Sequence, residues 1–181
     1  MELPIVLSPP SLNVMSKFTP KKQKLFRQYS IWIGRILSNS TLADFTVSVL
    51  MENEHIDRRD IEEIQVLLLP SSEEEYLHGT FDPSNKVIRI YPQFLYSLQY
   101  ETDSETPDLT TLISKKGFAN RQAERAITTL FHEILHVNYN DEEPVRALAA
   151  EYYDQWLSFL EEEDKQRLFE KDLLSTSQSG T

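Results

Sequence analysis

The 181-residue sequence predicts an α+β domain: an N-terminal helix, a small mixed sheet with a hairpin strand at its edge, and two consecutive helices at the C-terminal end. Three observations predict it. Apolar residues recur at i, i+3 and i+4 in three stretches, Leu25 to Leu37, Ala123 to Val137 and Val145 to Leu160, which is the period of a helix with one buried face. Two shorter segments, Phe45 to Leu50 and Ile64 to Leu69, have strand character, the first by alternation and β-branching, the second by a continuous apolar run. Finally, Asp82-Pro83-Ser84-Asn85 is a turn sequence between two arms, Tyr76 to Phe81 and Lys86 to Tyr91, as in a β-hairpin.

Composition narrows the function classes. The charged and apolar fractions, 26% and 40%, are those of a globular protein, and the length suits one domain. The chain has no cysteine, so disulfides and thiolate metal sites are excluded and any zinc must use histidine and carboxylate. No apolar run approaches the ~20 residues of a membrane span, and Met1 to Pro10 lacks the basic start and long apolar segment of a signal peptide. The expected location is therefore cytoplasmic, with no membrane partner. A net charge of −11 is a poor match for phosphate backbones, so no nucleic-acid partner is expected. The one basic cluster, Lys17 to Lys24, reads as the solvated start of a helix in preference to a small patch for a nucleic acid or an acidic partner.

In chain order, residues 1–18 contain Pro4, Pro9 and Pro10 and no period, and are expected to form an extended, partly disordered arm. Thr19-Pro20 is an N-cap followed by proline at the first helical position. The stripe Leu25, Phe26, Tyr29, Trp32, Ile33, Ile36 and Leu37 follows, and Ser38-Asn39-Ser40 ends the helix. The strand Phe45 to Leu50, a charged connection containing His55, and the strand Ile64 to Leu69, buried on both faces, come next. His78 lies in the first arm of the hairpin, and Pro92 after the second arm places Lys86 to Tyr91 at or near a sheet edge. Phe94 to Tyr100 has room for one or two helical turns. The acidic segment Glu101 to Lys116, with a short helix at Leu109 to Ile113, is a lid or a solvated insertion. Asn120 is the expected N-cap of the next helix. After that helix, Val137 to Asp141 is a short turn with Asn140 suited to a left-handed conformation. A helix opened by Glu142, Glu143 and Pro144 follows, with the stripe Val145, Leu148, Ala149, Tyr152, Tyr153, Trp156 and Phe159 or Leu160. Glu161 to Asp164 interrupts it, Gln166 to Leu174 forms a last helix, and 175–181 is a disordered tail, so the folded domain spans 19–174.

Chemistry concentrates in His132-Glu133-Ile134-Leu135-His136, an H-E-x-x-H sequence. Residues four apart on a helix share a face, so His132 and His136 can offer two imidazoles to one metal ion, with Glu133 beside them as a base. The apolar positions Ala123, Ala126, Ile127, Leu130, Phe131, Ile134 and Leu135 cluster on the other side, as the floor of a cleft requires. Zinc sites that do chemistry hold three protein ligands and leave a fourth position open. Glu142 and Glu143, just past the turn, are the candidates for the third, although acids also favour helix N-termini for electrostatic reasons. His55 and His78 are lone histidines and weaker candidates.

His-Glu-Ile-Leu-His, a short linker and then Glu142-Glu143-Pro144-Val145-Arg146-Ala147-Leu148-Ala149 resemble the small glutamate-type zincins, including the ImmA/IrrE-like peptidases and minimal phage and prokaryotic zincins. Glu142, Val145, Leu148 and Ala149 match the family pattern E-x-x-A/V-x-x-F/L-A over a resemblance that covers His132 to Ala149. Metzincins and YbeY-type endoribonucleases place a third histidine where Glu142 stands, and this chain has Tyr139 at the metzincin glycine, so they fit less well. The resemblance implies a zincin-like domain and a zinc-dependent peptidase acting on a peptide or protein. Zn2+ is held by His132, His136 and Glu142 in this reading, with Glu133 as the catalytic base. It further implies a substrate added as a strand along Lys86 to Tyr91, and Tyr139, Tyr152 or Tyr153 as oxyanion partner. The alternative expectation is a zincin-fold metal-binding regulatory or interaction protein, or a YbeY-like hydrolase.

Overall fold

In the computed structural model, residues 5–8, 16, 18–70, 78–92 and 118–178 are described. The expectations for Phe94 to Tyr100 and for Glu101 to Lys116 fall outside them. Helices dominate, and a four-stranded mixed sheet lies among them in the order β1-β2-β4-β3. The elements are β1 (Ile5–Ser8), α1 (Pro20–Leu37), α2 (Ser40–Phe45) continuing as a π-helical stretch (Thr46–Met51), α3 (Arg58–Ile61), β2 (Ile64–Leu68), β3 (Gly79–Asp82), β4 (Val87–Ile90), α4 (Phe118–Leu135) and α5 (Glu142–Gln178).

Helix α1 starts as its sequence dictates. The Thr19 hydroxyl accepts from the Lys22 amide at 3.3 Å, and Pro20 occupies the first turn where no amide donor is needed. Leu25, Phe26, Tyr29, Ile33, Ile36 and Leu37 are buried, and Trp32 is partly so. Ser38 closes the helix, but Asn39 at once opens another: its side chain accepts from the amides of Thr41 (2.8 Å) and Leu42 (3.3 Å).

Here the structure overturns the strand expected at Phe45 to Leu50. The segment is helical, and its hydroxyls are satisfied inside the helix: Thr46 Oγ1 donates to the Leu42 carbonyl at 2.7 Å and Ser48 Oγ to that of Asp44 at 2.5 Å. Phe45 is buried against Phe131, Tyr152 and Phe159, with ring centroids 5.8, 6.5 and 5.6 Å away. Tertiary packing has overridden a β-branched local preference.

Four other expectations need correction. The arm at 1–18 is not a free segment throughout, because Ile5–Ser8 pairs in parallel with β2, Ile5 opposite Ile64. Lys86 to Tyr91, expected at or near a sheet edge and as the strand a substrate would join, lies one strand in: β4 pairs in parallel with β2 and antiparallel with β3, so among the described strands the other hairpin arm, β3, is at the edge. Strand β2 shows one face buried and the other exposed at Gln65 and half-buried at Leu67. Glu161 to Asp164 does not interrupt α5, and its backbone stays helical into the expected tail, as far as Gln178. Two smaller points also differ. Helix α4 begins at Phe118, so Asn120 lies within it, and the residues with left-handed backbone are His55, Glu63 and Lys86, not Asn140.

The hairpin itself forms as expected. The Asp82 carboxylate accepts from the Asn85 amide (3.1 Å) and side chain (2.8 Å), and Lys86, with φ 52°, turns the chain into β4. Helix α4 then lies across β3, β4 and α1. Its residues Ala123, Ala126, Ile127, Leu130, Phe131, Ile134 and Leu135 are fully buried, and Arg125 Nε donates to the Tyr91 carbonyl at 3.1 Å, tying the helix to the end of β4. Helix α5 folds back along α4 through Val145, Ala149, Tyr152, Tyr153, Trp156 and Leu160.

Candidate metal centre

The site is built where α4 ends and α5 begins. His132 and His136 are four apart on α4, so one turn of helix stacks them; their ring centroids are 4.7 Å apart. The turn at 137–141 brings the first residue of α5 back over them. His132 Nε2 and His136 Nε2 are 3.0 Å apart, and the two Glu142 carboxylate oxygens lie 3.2 Å from the first and 3.3 Å from the second. Among the described residues this is the group of three side chains that could hold a metal ion. Glu143, the other candidate for third ligand, is exposed at the helix N-terminus and outside the group. His55 and His78 are also outside it.

One nitrogen of each ring has to be free of its proton for a metal to bind, and the surroundings assign it in His136. Its Nδ1 is 2.9 Å from the Tyr139 carbonyl, which can only accept, so Nδ1 carries a proton and Nε2 is the nitrogen left to face a metal. Burial, and then repulsion between the two imidazoles, holds His132 below the ordinary histidine range, which favours its neutral form. Each histidine side chain is 16% exposed while that of Glu142 is 67% exposed, so the group is walled by protein on the α4 side and open past Glu142.

Glu133 points into the protein and is 5% exposed. Desolvation, with a smaller contribution from the Glu142 charge, raises its carboxyl to about 7. The strand beside it is β3, whose Gly79 makes a close approach. A Cβ on Gly79 would stand 2.3 Å from Thr129 Cγ2, 2.7 Å from the Arg89 carbonyl and 3.3 Å from Glu133 Oε1. Only a glycine lets the edge strand sit this close to the face that carries Thr129 and Glu133.

The tyrosines expected near the metal do other work. The Tyr139 hydroxyl donates to Glu54 Oε2 at 2.5 Å, and the Tyr152 hydroxyl donates to Glu54 Oε1. Those bonds hold the Tyr139 phenol above its usual range, while burial does most of the same for Tyr152. Tyr153 packs on Trp156. One residue not singled out in the sequence also acts on the site. Arg146 is one helical turn after Glu142, and its charge adds a small part to the lowering of His132 and His78 that burial chiefly causes. Helical spacing from Glu142 was the signal that could have found Arg146. No protein-family model, curated protein or solved structure matches the chain.

Proposed function

We propose that the chain is a zinc-dependent peptidase with a small zincin-like fold. The observation that carries this is the convergence of the donor groups of three side chains. Ligands at the ~2.0–2.1 Å bond lengths of nitrogen and carboxylate zinc sites sit about 3.3 Å apart on a tetrahedron. Here the two Nε2 atoms stand 3.0 Å apart, and the Glu142 carboxylate, which supplies the negative charge, sets one oxygen 3.2 Å from the first and the other 3.3 Å from the second. Two imidazoles and a carboxylate are the donor set of a catalytic zinc, and the open side at Glu142 leaves room for a fourth ligand. His132, His136 and Glu142 would hold the ion.

When bound, zinc supplies a Lewis acid that polarises a scissile carbonyl and makes water a stronger acid. The protein's share of the chemistry falls to Glu133. A carboxyl raised to about 7 is matched to proton transfer near neutral pH. Its Oε takes the proton of the attacking water, whose oxygen bonds to the carbonyl carbon. The same proton is then handed to the amine nitrogen as the C–N bond breaks. Strand β3, with one side unpaired among the described residues, offers main-chain groups along which an extended peptide can lie, and Gly79 keeps that strand against the Glu133 face.

The test combines metal analysis with cleavage of a mixed peptide library. Wild type is expected to carry about one zinc per chain, His136→Ala none, and Glu133→Gln the full amount with cleavage reduced by roughly 10²–10⁴-fold, the usual share of a general base. Full cleavage by Glu133→Gln, or no metal in wild type, defeats the reading. Metal without cleavage in wild type would favour a metal-binding interaction protein on the same scaffold.

A further inference from the structure

The segment that delivers the third ligand has no core of its own. Every side chain from Asn138 to Pro144 is exposed. Yet Glu142 must be held within a few tenths of an ångström of two histidines on another helix if the three are to act together. Something other than apolar burial has to fix this turn.

We propose that Glu54 is a positioning residue for the metal centre, holding the 137–141 turn and through it His136 and Glu142. The inference rests on the metal-binding part of the function proposed above, not on peptide cleavage. Glu54 follows the π-helical stretch and is half-buried. Its carboxylate accepts from the Tyr139 hydroxyl at 2.5 Å on one oxygen and from the Tyr152 hydroxyl on the other. Its main-chain carbonyl accepts from Asn138 Nδ2 at 2.8 Å. One residue thus grips two successive positions of the turn and the body of α5 as well. Bonds to a carboxylate are about twice as strong as neutral ones, which suits an anchor that is partly exposed.

The link to the metal centre is a single residue long. Tyr139, whose hydroxyl is held by Glu54, is also the residue whose carbonyl lies 2.9 Å from His136 Nδ1. Pinning the phenol at one end fixes the carbonyl at the other, and the carbonyl fixes both the tautomer and the tilt of the His136 ring. Three residues further on stands Glu142. Tyr152 ties the same carboxylate to α5 ten residues beyond Glu142, so the two ends of the α5 entry share one anchor.

The test is zinc affinity measured by chelator competition in the full chain, with unfolding of the metal-free protein followed in parallel. Glu54→Gln leaves one acceptor oxygen for two hydroxyls, and Tyr139→Phe removes the tether at an exposed site where folding is not at stake. Both are expected to weaken zinc binding by about 10–100-fold, the usual effect of losing an outer-shell partner. Tyr152→Phe, which spares the tether of the turn, should weaken it far less even where it costs more stability. A second readout needs no metal: nitrogen NMR of wild type should show His136 protonated at Nδ1, and Tyr139→Phe should mix the two tautomers. Zinc affinity in Glu54→Gln and Tyr139→Phe within twofold of wild type overturns the positioning role and leaves the peptidase reading standing. So does a loss of affinity that merely follows the loss of stability across the three variants. A wild type that binds no zinc overturns both proposals, whereas one that binds zinc normally and cleaves nothing defeats the peptidase alone.

Discussion

Glu133 gives the sharpest test of the site, because burial there has a calculable cost. Its carboxyl titrates at about 7 in the folded, metal-free protein, against 4.5 when unperturbed. The raised value means that the folded state prefers the neutral form. The contribution to stability is therefore fully present below the unfolded value and is lost as pH rises through the folded one. Linkage gives the size: the penalty is about 1 kcal/mol near pH 5 and about 3 kcal/mol near pH 8, a difference of roughly 2–3 kcal/mol. Little screening reduces this, since the side chain is 5% exposed. The perturbation is Glu133→Gln, which imitates the protonated form at every pH. The assay is urea unfolding of chelator-treated wild type and variant near pH 5 and pH 8. Going from the lower to the higher pH, the variant should gain roughly 2–3 kcal/mol on wild type. Parallel pH dependence in the two proteins would show that Glu133 is ionised and solvated, and would remove the physical basis for its role as a base.

Further outcomes are expected from the same geometry. Glu142→Gln should lower zinc affinity by at least tenfold (about 1.4 kcal/mol), while Glu143→Gln should leave it unchanged in the same chelator competition; the reverse order would mean the wrong glutamate has been assigned. Gly79→Ala forces a Cβ to 2.3 Å from Thr129 Cγ2 and 2.7 Å from the Arg89 carbonyl, so thermal unfolding should register a loss of roughly 1–3 kcal/mol. Thr129→Ala should restore only part of this, because the carbonyl contact remains; an unchanged melting temperature in Gly79→Ala would mean β3 does not lie against α4. Asn39→Ala removes the side chain that caps α2 and should cost about 1 kcal/mol in denaturant unfolding, whereas a strand at 45–50 would make that substitution neutral.

What could be read from the sequence was what short-range periodicity decides. The buried faces of α1, α4 and α5 were legible because a residue's neighbours at i+3 and i+4 determine which side turns inward. The turn at Asp82 to Asn85 was legible because the Asp82 side chain binds the amide and side chain of Asn85, three residues on. The errors fall where the deciding partner is remote. Phe45 to Leu50 has a strand's composition, and the contacts that make it helical come from Phe131, Tyr152 and Phe159. Ile5–Ser8 is a strand because β2 is there to pair with, and β4 is interior because β2 takes its free side. A local cue was nonetheless present at Asn39, a residue read as the end of one helix that caps the start of the next.

The candidate site divides along the same line. His132, His136 and Glu142 span eleven residues, two helix ends and one turn, so their convergence needs only that the turn be tight. What makes the convergence dependable is not in that stretch. Glu54 reaches Tyr139 from 85 positions away in the chain, and Gly79, on a strand of the hairpin, sets how near the sheet edge comes to Glu133. An H-E-x-x-H sequence on an exposed helix would carry the same letters with a solvated, ordinary glutamate and an unanchored third acid. The chemistry proposed for this chain therefore depends on residues with no place in the motif. Glu54 and Gly79 can be substituted without touching a metal ligand, and a loss of metal affinity in the first or of folded stability in the second would trace to the scaffold alone.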